Sequence, residues 1–565
     1  MKFAVDLIDK LLKYNNDNLG KHNEYILFGA SSLGERAFEF LKNNNKKVAY
    51  FCDNDRLKWG RKFLGIDIIS PNELLTKMKD YSIVITSSYH KEIANQLEEM
   101  KVDNFYFFKK IIEIKGIDEL EGIDLNNDFN NKRLILSNNQ CTDVEIEIKK
   151  KIDTIIKNQP IIHDKALKKV REKAKHKKIK VAFFVLDYVS WKLENVYRKM
   201  SENRRFDPIV VVCPTVRYGD KSEMIKKIED AYEFFCERGY NVIRAYDKRN
   251  DNYLDIRKEI SPDIIFYTNP YKGLIDDRYY ITRFKDILAC YVHYGYQSTS
   301  LTEITYNGIL SQLVWKFFLE TEIHLKIMKN TARNKGINGV VTGYPLVDNF
   351  VFKERIENNV WKNSDKSLKR VIWAPHHTIS NTEGWLNYSN FFKYHNYMLE
   401  IAEKYNNLIQ IAFRPHPLLR FKLYNHPDWG KEKTDKYYQR WEQGSNTQLS
   451  VGYYVDLFNS SDALIHDCGS FIAEYLHCGK PVLYLLKDKS YKEYNEFGIM
   501  VLSQHYHGYF EEDIEKFIKE VVIDGNDIME TSRTQFYYNV LRTEQNSNAS
   551  ENIYKIICKK LNVED

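Results

Sequence analysis

The sequence predicts an α/β protein of three Rossmann-like units, a smaller one followed by a pair of similar size. Three observations predict it. Short apolar runs alternate with helix-like segments, polar or small residues recur where each run ends, and 565 residues exceed one ordinary domain. A 43% hydrophobic content is enough to fill the cores. The formal charge of +6 is small for this length and speaks against a nucleic-acid partner. Eight cysteines, at 52, 141, 213, 236, 290, 468, 478 and 558, are scattered without a CxxC pair. That usage suits reduced thiols in a cytoplasmic protein. The segment MKFAVDLIDKLLKYNNDNLG lacks a leader's apolar core, and no run approaches membrane-spanning length.

The first unit, 1–127, opens with EYILFGASSLGERAFEFLKNNNKKVAYFCDND. A short strand, a turn from Gly29 to Gly34, a helix and a strand ending at Asp53 and Asp55 make a β-α-β unit of the nucleotide-binding kind. Its G-x-x-x-x-G spacing is looser than the dinucleotide fingerprint, so a module without a nucleotide is an equal reading. SIVITSS extends the sheet. Residues 128–180 read as a linker with a basic helix: NNDFNNKRLILSNNQ is loop-like, and 165–180 holds nine Lys and Arg against one Glu. Such a run is a solvated face or a contact for anionic lipid or polymer, which makes the inner membrane face a candidate peripheral partner.

The second unit, 181–350, begins near KVAFFVLDYVSW and continues through PIVVVCP, NVIRAY, DIIFYTN and LACYVHYG to GVVTGYPLVDNF. The third, 351–565, carries KRVIWAPHHT, LIQIAFRPHP, DALIHDCG and PVLYLL. Ligands of such sheets sit beyond the carboxyl ends of the strands, so strand-end residues are the candidates. His293 follows an apolar strand and is either a structural imidazole or a proton-transfer group. His376 and His377 follow Pro375. Adjacent histidines on an extended chain face opposite ways, so one at most is expected in a cleft. With no HExxH and no carboxylate at ligand spacing, a metal is not expected. Arg414 and His416, bracketed by prolines, could clamp a diphosphate.

In HDCGSFIAEYLHCGK, a helix is expected from Ser470 to Gly479, with Ser470 capping it and a phosphate at its N-terminus. Gly469 would allow close approach of the anion, while Asp467 precedes the turn. Glu474, one turn on, could accept hydrogen bonds from ribose or polyol hydroxyls.

GVVTGYPLVDNF, VIWAPHHT, FRPHP and VDLFNSSDALIHDCGSFIAEYLHCGKPVLYL, in that order, resemble the CDP-glycerol glycerophosphotransferase family, which includes teichoic-acid and capsule polymerases. The likeness covers about 180 to 535. It implies a GT-B-type pair of Rossmann-like domains preceded by the smaller one. It also implies transfer of glycerol phosphate, or another polyol phosphate, from a CDP-linked donor to a surface-polymer hydroxyl, with no cofactor. By resemblance, His293 matches the histidine that activates the acceptor, although Val292 stands where the family has Trp. His416 matches the histidine near the donor phosphates. Ser470 and Asp467 match the last and first positions of an Asp-x-Ser-Ser turn in which Gly469 replaces a serine. Glu474 stands at the position of an acid suited to ribose or polyol, and Asp467 is expected to join it in that contact. APHHT stands where the family has Ala-Pro-Thr-Trp-Arg, leaving His376 or His377 in the place of the arginine. Two other readings stay open: a GT-B glycosyltransferase using a nucleotide sugar, and a non-catalytic nucleotide- or polymer-binding scaffold.

Overall fold

In the computed structural model, residues 24–43, 45–87, 89–102, 105–110, 133–216, 221–271, 273–379, 388–487, 493–542 and 548–564 are described. The segment MKFAVDLIDKLLKYNNDNLG, 1–20, and the asparagine-rich stretch 126–132 lie outside them. The chain divides into two compact units at Asn158/Gln159.

In the first unit, seven strands run β1 (Glu24–Phe28), β2 (Lys47–Cys52), β3 (Lys62–Phe63), β4 (Ile66–Ile69), β5 (Ser82–Ile85), β6 (Phe105–Lys110) and β7 (Arg133–Ser137). Their spatial order is β3-β4-β2-β1-β5-β6-β7. The pairs from β4 to β6 are parallel. Alternation along β1 sends Tyr25 and Leu27 into a core with Ala37 and Leu41 of the helix Ser32–Asn43. It sends Ile26 and Phe28 into the opposite core with Ile93 and Leu97 of the helix His90–Glu99. One expectation is corrected here. RLILS, read as part of a linker, forms β7 antiparallel to β6, and the helix Asn138–Ala174 begins directly after it. The apolar alternation of FYFFKK offered an edge, and a second apolar segment paired with it.

The second unit holds two sheets. β8 (Ile179–Val185), β9 (Phe206–Val212), β10 (Val242–Arg244), β13 (Ile264–Tyr267), β14 (Leu288–Val292), β15 (Lys316–Leu319) and β16 (Gly339–Val341) are ordered β10-β9-β8-β13-β14-β15-β16, all parallel. A small hairpin, β11 (Tyr246–Asp247) with β12 (Asn252–Tyr253), lies outside this sheet. β17 (Lys369–Ala374), β18 (Ile409–Phe413), β19 (Thr447–Leu449), β20 (Ala463–His466), β21 (Val482–Leu485) and β22 (Tyr506–Gly508) form the second parallel sheet, β19-β18-β17-β20-β21-β22. This is the expected pair of Rossmann-like halves.

The basic segment docks rather than links. Leu167, Val170 and Ala174 are buried in the core of the first sheet, because the lysines lie on the other side of an amphipathic helix. The helix Ala549–Leu561 also joins that core through Ile553, Tyr554, Ile557, Cys558 and Leu561, so the end of the chain returns to the half where the unit begins. The seven cysteines whose side chains are described are all free.

Burial holds ten histidines below their ordinary pKa, among them His163 (about 4) and His324, His477 and His505 (about 3 each). A depressed folded-state pKa adds stability that is fully present above 6.5 and lost as pH falls toward 3–4. Four buried carboxyls, on Glu320, Asp348, Asp467 and Glu474, are raised and act in the opposite sense. The histidines outnumber them, so Tm is expected to be lower at pH 5 than at pH 7. A calorimetric Tm that is flat or rising over that descent would contradict this.

Candidate functional site

The loop that leaves β14 carries the first candidate onto the second half of the unit. Thr299 bridges Tyr494, Asn495 N–H and Nδ2–H donate to Ser298 O and Gln297 O, and Tyr296 Oη meets His477 Nε2 at 2.7 Å. Gly295 lies so close to the 470 turn that an added Cβ would stand 3.4 Å from Ser470 Cβ and 3.8 Å from Glu474 Oε1. Ser298 Oγ–H donates to Gly469 O. Two residues before Gly295, His293 is 5% exposed, and burial lowers its pKa to about 4.

Its tautomer follows from its partners. Nδ1 lies 2.5 Å from Gly295 O, a carbonyl that can only accept, and 3.4 Å from the Gly295 N–H, so the much shorter contact puts the ring proton on Nδ1. Nε2 is then the basic nitrogen, and it receives the hydroxyl of Tyr271 at 2.9 Å. Tyr271 was not singled out from sequence. It lies 22 residues upstream, on the loop after β13, and only the fold brings it here.

On the second half, His376, His377 and His416 come together, each offering a ring nitrogen within 4.8 Å of the others. Both adjacent histidines join the cluster, against the expectation that one at most would. β17 ends at Ala374, so strand alternation no longer governs 376–377. Asp467 builds this turn. Its buried carboxylate accepts from His376 N–H at 2.6 Å and Asn390 N–H at 2.5 Å, and burial pushes its pKa up to about 6. Asp467, 1% exposed, thereby holds the backbone on both sides of the histidine turn.

Three histidines at this spacing could hold a metal, so the donor set matters. His416 Nδ1 accepts from Leu418 N–H, as the N-cap of the helix Pro417–Tyr424. Thr378 Oγ1 already accepts from the N–H groups of Tyr388 and Ser389, which directs its single proton to His376 Nδ1 at 3.0 Å. Both rings therefore carry their proton on Nε2 and offer a donor, not a lone pair. Lys422 Nζ lies 2.7 Å from His377 Nδ1, and its charge helps to depress all three imidazoles. Neutral N–H donors beside an ammonium suit an anion better than a cation. Tyr388 Oη is buried without a hydrogen-bond partner among the described residues, 3.9 Å from where a Cβ at Gly469 would lie. Lys422 and Tyr388 also escaped the sequence reading.

The remaining candidates are placed differently. Arg414 reaches the 450–454 loop, donating to Gly452 O and Ser450 Oγ with its guanidinium 4.9 Å over the Tyr454 ring. Burial lowers its pKa to about 10. Glu474 is 1% exposed and accepts from Tyr454 Oη at 2.5 Å, while Lys192 of the first half donates to the same hydroxyl at 2.9 Å. The expected helix is a single α turn, Phe471–Glu474, continued as a tighter 3₁₀ turn over Tyr475–Cys478 and ended by Gly479 at φ 69°. Ser470 makes no side-chain cap, since its own backbone is already helical.

Residues 21–112 match the family model described as C2185-like, N-terminal, and residues 307–559 match CDP-Glycerol:Poly(glycerophosphate) glycerophosphotransferase. A redox-sensing transcriptional repressor, Rex, from Treponema denticola is 25% identical over 118 residues, 20% of this chain. The chain spans about half (54%) of that relative's length. Among solved structures, the wall teichoic acid polymerase TagF gives TM-score 0.45 at 12% identity, over 72% of this chain and 98% of that one. The UDP-GlcNAc 2-epimerase from Neisseria meningitidis gives 0.42 at 14%, over 68% and 99%. No residue role is taken from either likeness. Residues 307–559, the part of the chain that matches the CDP-Glycerol:Poly(glycerophosphate) glycerophosphotransferase model, hold the three-histidine cluster, Asp467 and the 470 turn.

Proposed function

We propose that the second unit transfers glycerol phosphate, or a related polyol phosphate, from a CDP-linked donor to a hydroxyl of a capsule or teichoic-acid-type polymer. The observation that carries this reading is the pairing of opposite tautomers in one unit: a basic Nε2 on His293, and Nε2–H donors on His376 and His416. An acceptor hydroxyl in the place of the Tyr271 hydroxyl gives its proton to His293 Nε2 as its oxygen attacks the polyol-bearing phosphorus. The bond from that phosphorus to the bridging oxygen breaks, and CMP leaves with the electron pair. His376, His416 and Lys422 hydrogen-bond the diphosphate as charge gathers on the leaving phosphate. Tyr388 restores a hydroxyl near the position where Gly469 replaces the family serine. Arg414 supports this wall through the 450–454 loop, and no metal or cofactor is invoked. The exposed lysines 165, 168, 169, 175, 177 and 178 are the surface we assign to an anionic acceptor or to the inner membrane face.

His293→Ala and His416→Ala are each expected to cut transfer by about 10²–10⁴-fold, the scale of a positioned base or an oriented donor. Product mass should show addition of a polyol phosphate from CDP-glycerol. Addition of a hexose from a UDP- or CMP-sugar instead would replace this reading with glycosyl transfer. Asp467→Asn sets an amide N–H against one of two backbone N–H donors. It is expected to cost about 1–3 kcal/mol in thermal unfolding and to lower turnover. Stability and rate equal to the parent protein would show that Asp467 does not hold the histidine turn. Reversing the six lysines to glutamate should abolish salt-sensitive sedimentation with phosphatidylglycerol vesicles, and unchanged sedimentation would discard that surface.

A further inference from the structure

The first unit contains a cavity that the transfer chemistry does not use. It measures about 380 Å³ and is lined by Phe28 and Gly29 after β1, Asp53 and Asn54 after β2, Ser87 and Tyr89 after β5, and Glu92 and Ile93 of the next helix. Its place in the sheet matters more than its size. The chain leaves β1 toward β2 on one side, and β5 lies against β1 on the other, so the cavity stands at the point where strand order reverses. Parallel sheets open a crevice for ligands at that point.

The walls are specialised. Gly29 has φ +128°, and a Cβ there would lie 2.6 Å from Thr86 O, so the β1 end presents bare backbone. Gly34 is equally constrained: a Cβ would come within 2.1 Å of Gly29 O, which seats the start of the helix Ser32–Asn43 on the turn. Asp53 stands nineteen residues after Gly34, at the end of β2. Its carboxylate is held rigidly. Oδ2 accepts from Ala30 N–H and Lys58 Nζ, each at 2.9 Å, and Oδ1 accepts from Asp55 N–H at 2.9 Å. A carboxylate offers about four acceptor directions, so Oδ1 keeps one for a ligand hydroxyl. Phe28 and Ile93 give an apolar floor, and Tyr89, 69% exposed, puts an aromatic ring at the rim. Asn54 is fixed by two hydrogen bonds with Gln96.

An oriented acid for a sugar hydroxyl, an apolar slot with an aromatic edge, and Lys58 beside the glycine turn form one consistent set. We propose that this crevice binds a ribonucleotide, with the ribose hydroxyl on Asp53, the base between Ile93 and Tyr89, and the phosphate toward Lys58 Nζ, which keeps one N–H beyond those given to Asp53 Oδ2 and Ala30 O. The volume falls in the range of small-ligand sites, about 300–1,000 Å³. The site is separate from the proposed CDP-donor cleft, so purine nucleotides serve as probes that the transfer reaction does not require.

The full chain would be titrated calorimetrically with ADP, GDP and NAD⁺, and with the 2′,3′-dideoxy form of whichever binds. Binding is expected for at least one of them. Removal of the ribose hydroxyls should weaken it by on the order of tenfold or more, the scale of a hydrogen bond to a charged acceptor. Tyr89→Ala alters an exposed position and should weaken binding several-fold with Tm unchanged, while CDP-glycerol turnover stays at the parent level. Asp53→Asn should abolish binding. No binding by any of the three nucleotides, equal affinity for the dideoxy form, or binding indifferent to Tyr89 substitution would overturn the proposal.

Discussion

An imidazole has two nitrogens and, when neutral, one proton, so whatever grips Nδ1 decides what Nε2 can do. In this protein the gripping groups are built into the fold. A carbonyl two residues ahead accepts a hydrogen bond from the Nδ1–H of His293. A helix-start N–H and a threonine hydroxyl donate hydrogen bonds to Nδ1 of His416 and His376. Burial then keeps the rings uncharged at neutral pH. The same residue type thereby presents a lone pair at His293 and N–H groups at His376 and His416. Most of the local architecture exists to preserve those three hydrogen bonds.

Asp467 and the 293–300 loop show how that preservation works. A carboxylate buried behind β17 would be costly if unpaired, and two backbone N–H groups satisfy it. In doing so it bends the chain after Ala374 so that consecutive histidines leave strand geometry and converge. On the opposite wall, the loop is fastened by its own backbone to Glu493 and Asn495, which leaves His293 little freedom relative to the 470 turn. Lys192, Tyr454 and Glu474 make a second, buried polar connection between the halves.

The legible part of this molecule was what repeats locally. Apolar runs such as VAFFV, VIWA and IQIAF became parallel strands, and each candidate histidine lies just beyond one, because period and length settle a buried strand without tertiary information. What escaped depends on contacts distant in sequence. Tyr271 and Tyr388 earn notice only through the groups they face. The two backbone donors of Asp467 come from 91 and 77 residues away, so its hold on the histidine turn has no local signal. RLILS reads as loop until β6 offers an edge, and the helix expected across 470–479 tightens after one turn. The 165–180 run shows the same limit, since nine positive charges hide three buried apolar side chains one and two turns apart.

The return of the last helix to the first half has a mechanical consequence. The polypeptide passes between the halves twice, once after β16 and again before Ala549, so they are joined by a double rather than a single tether. A double tether lets two bodies swing apart about the line through both crossings but resists twist about any other axis. Any separation of the halves is then confined to that one hinge line, and it must first release the loop that Glu493 and Asn495 hold.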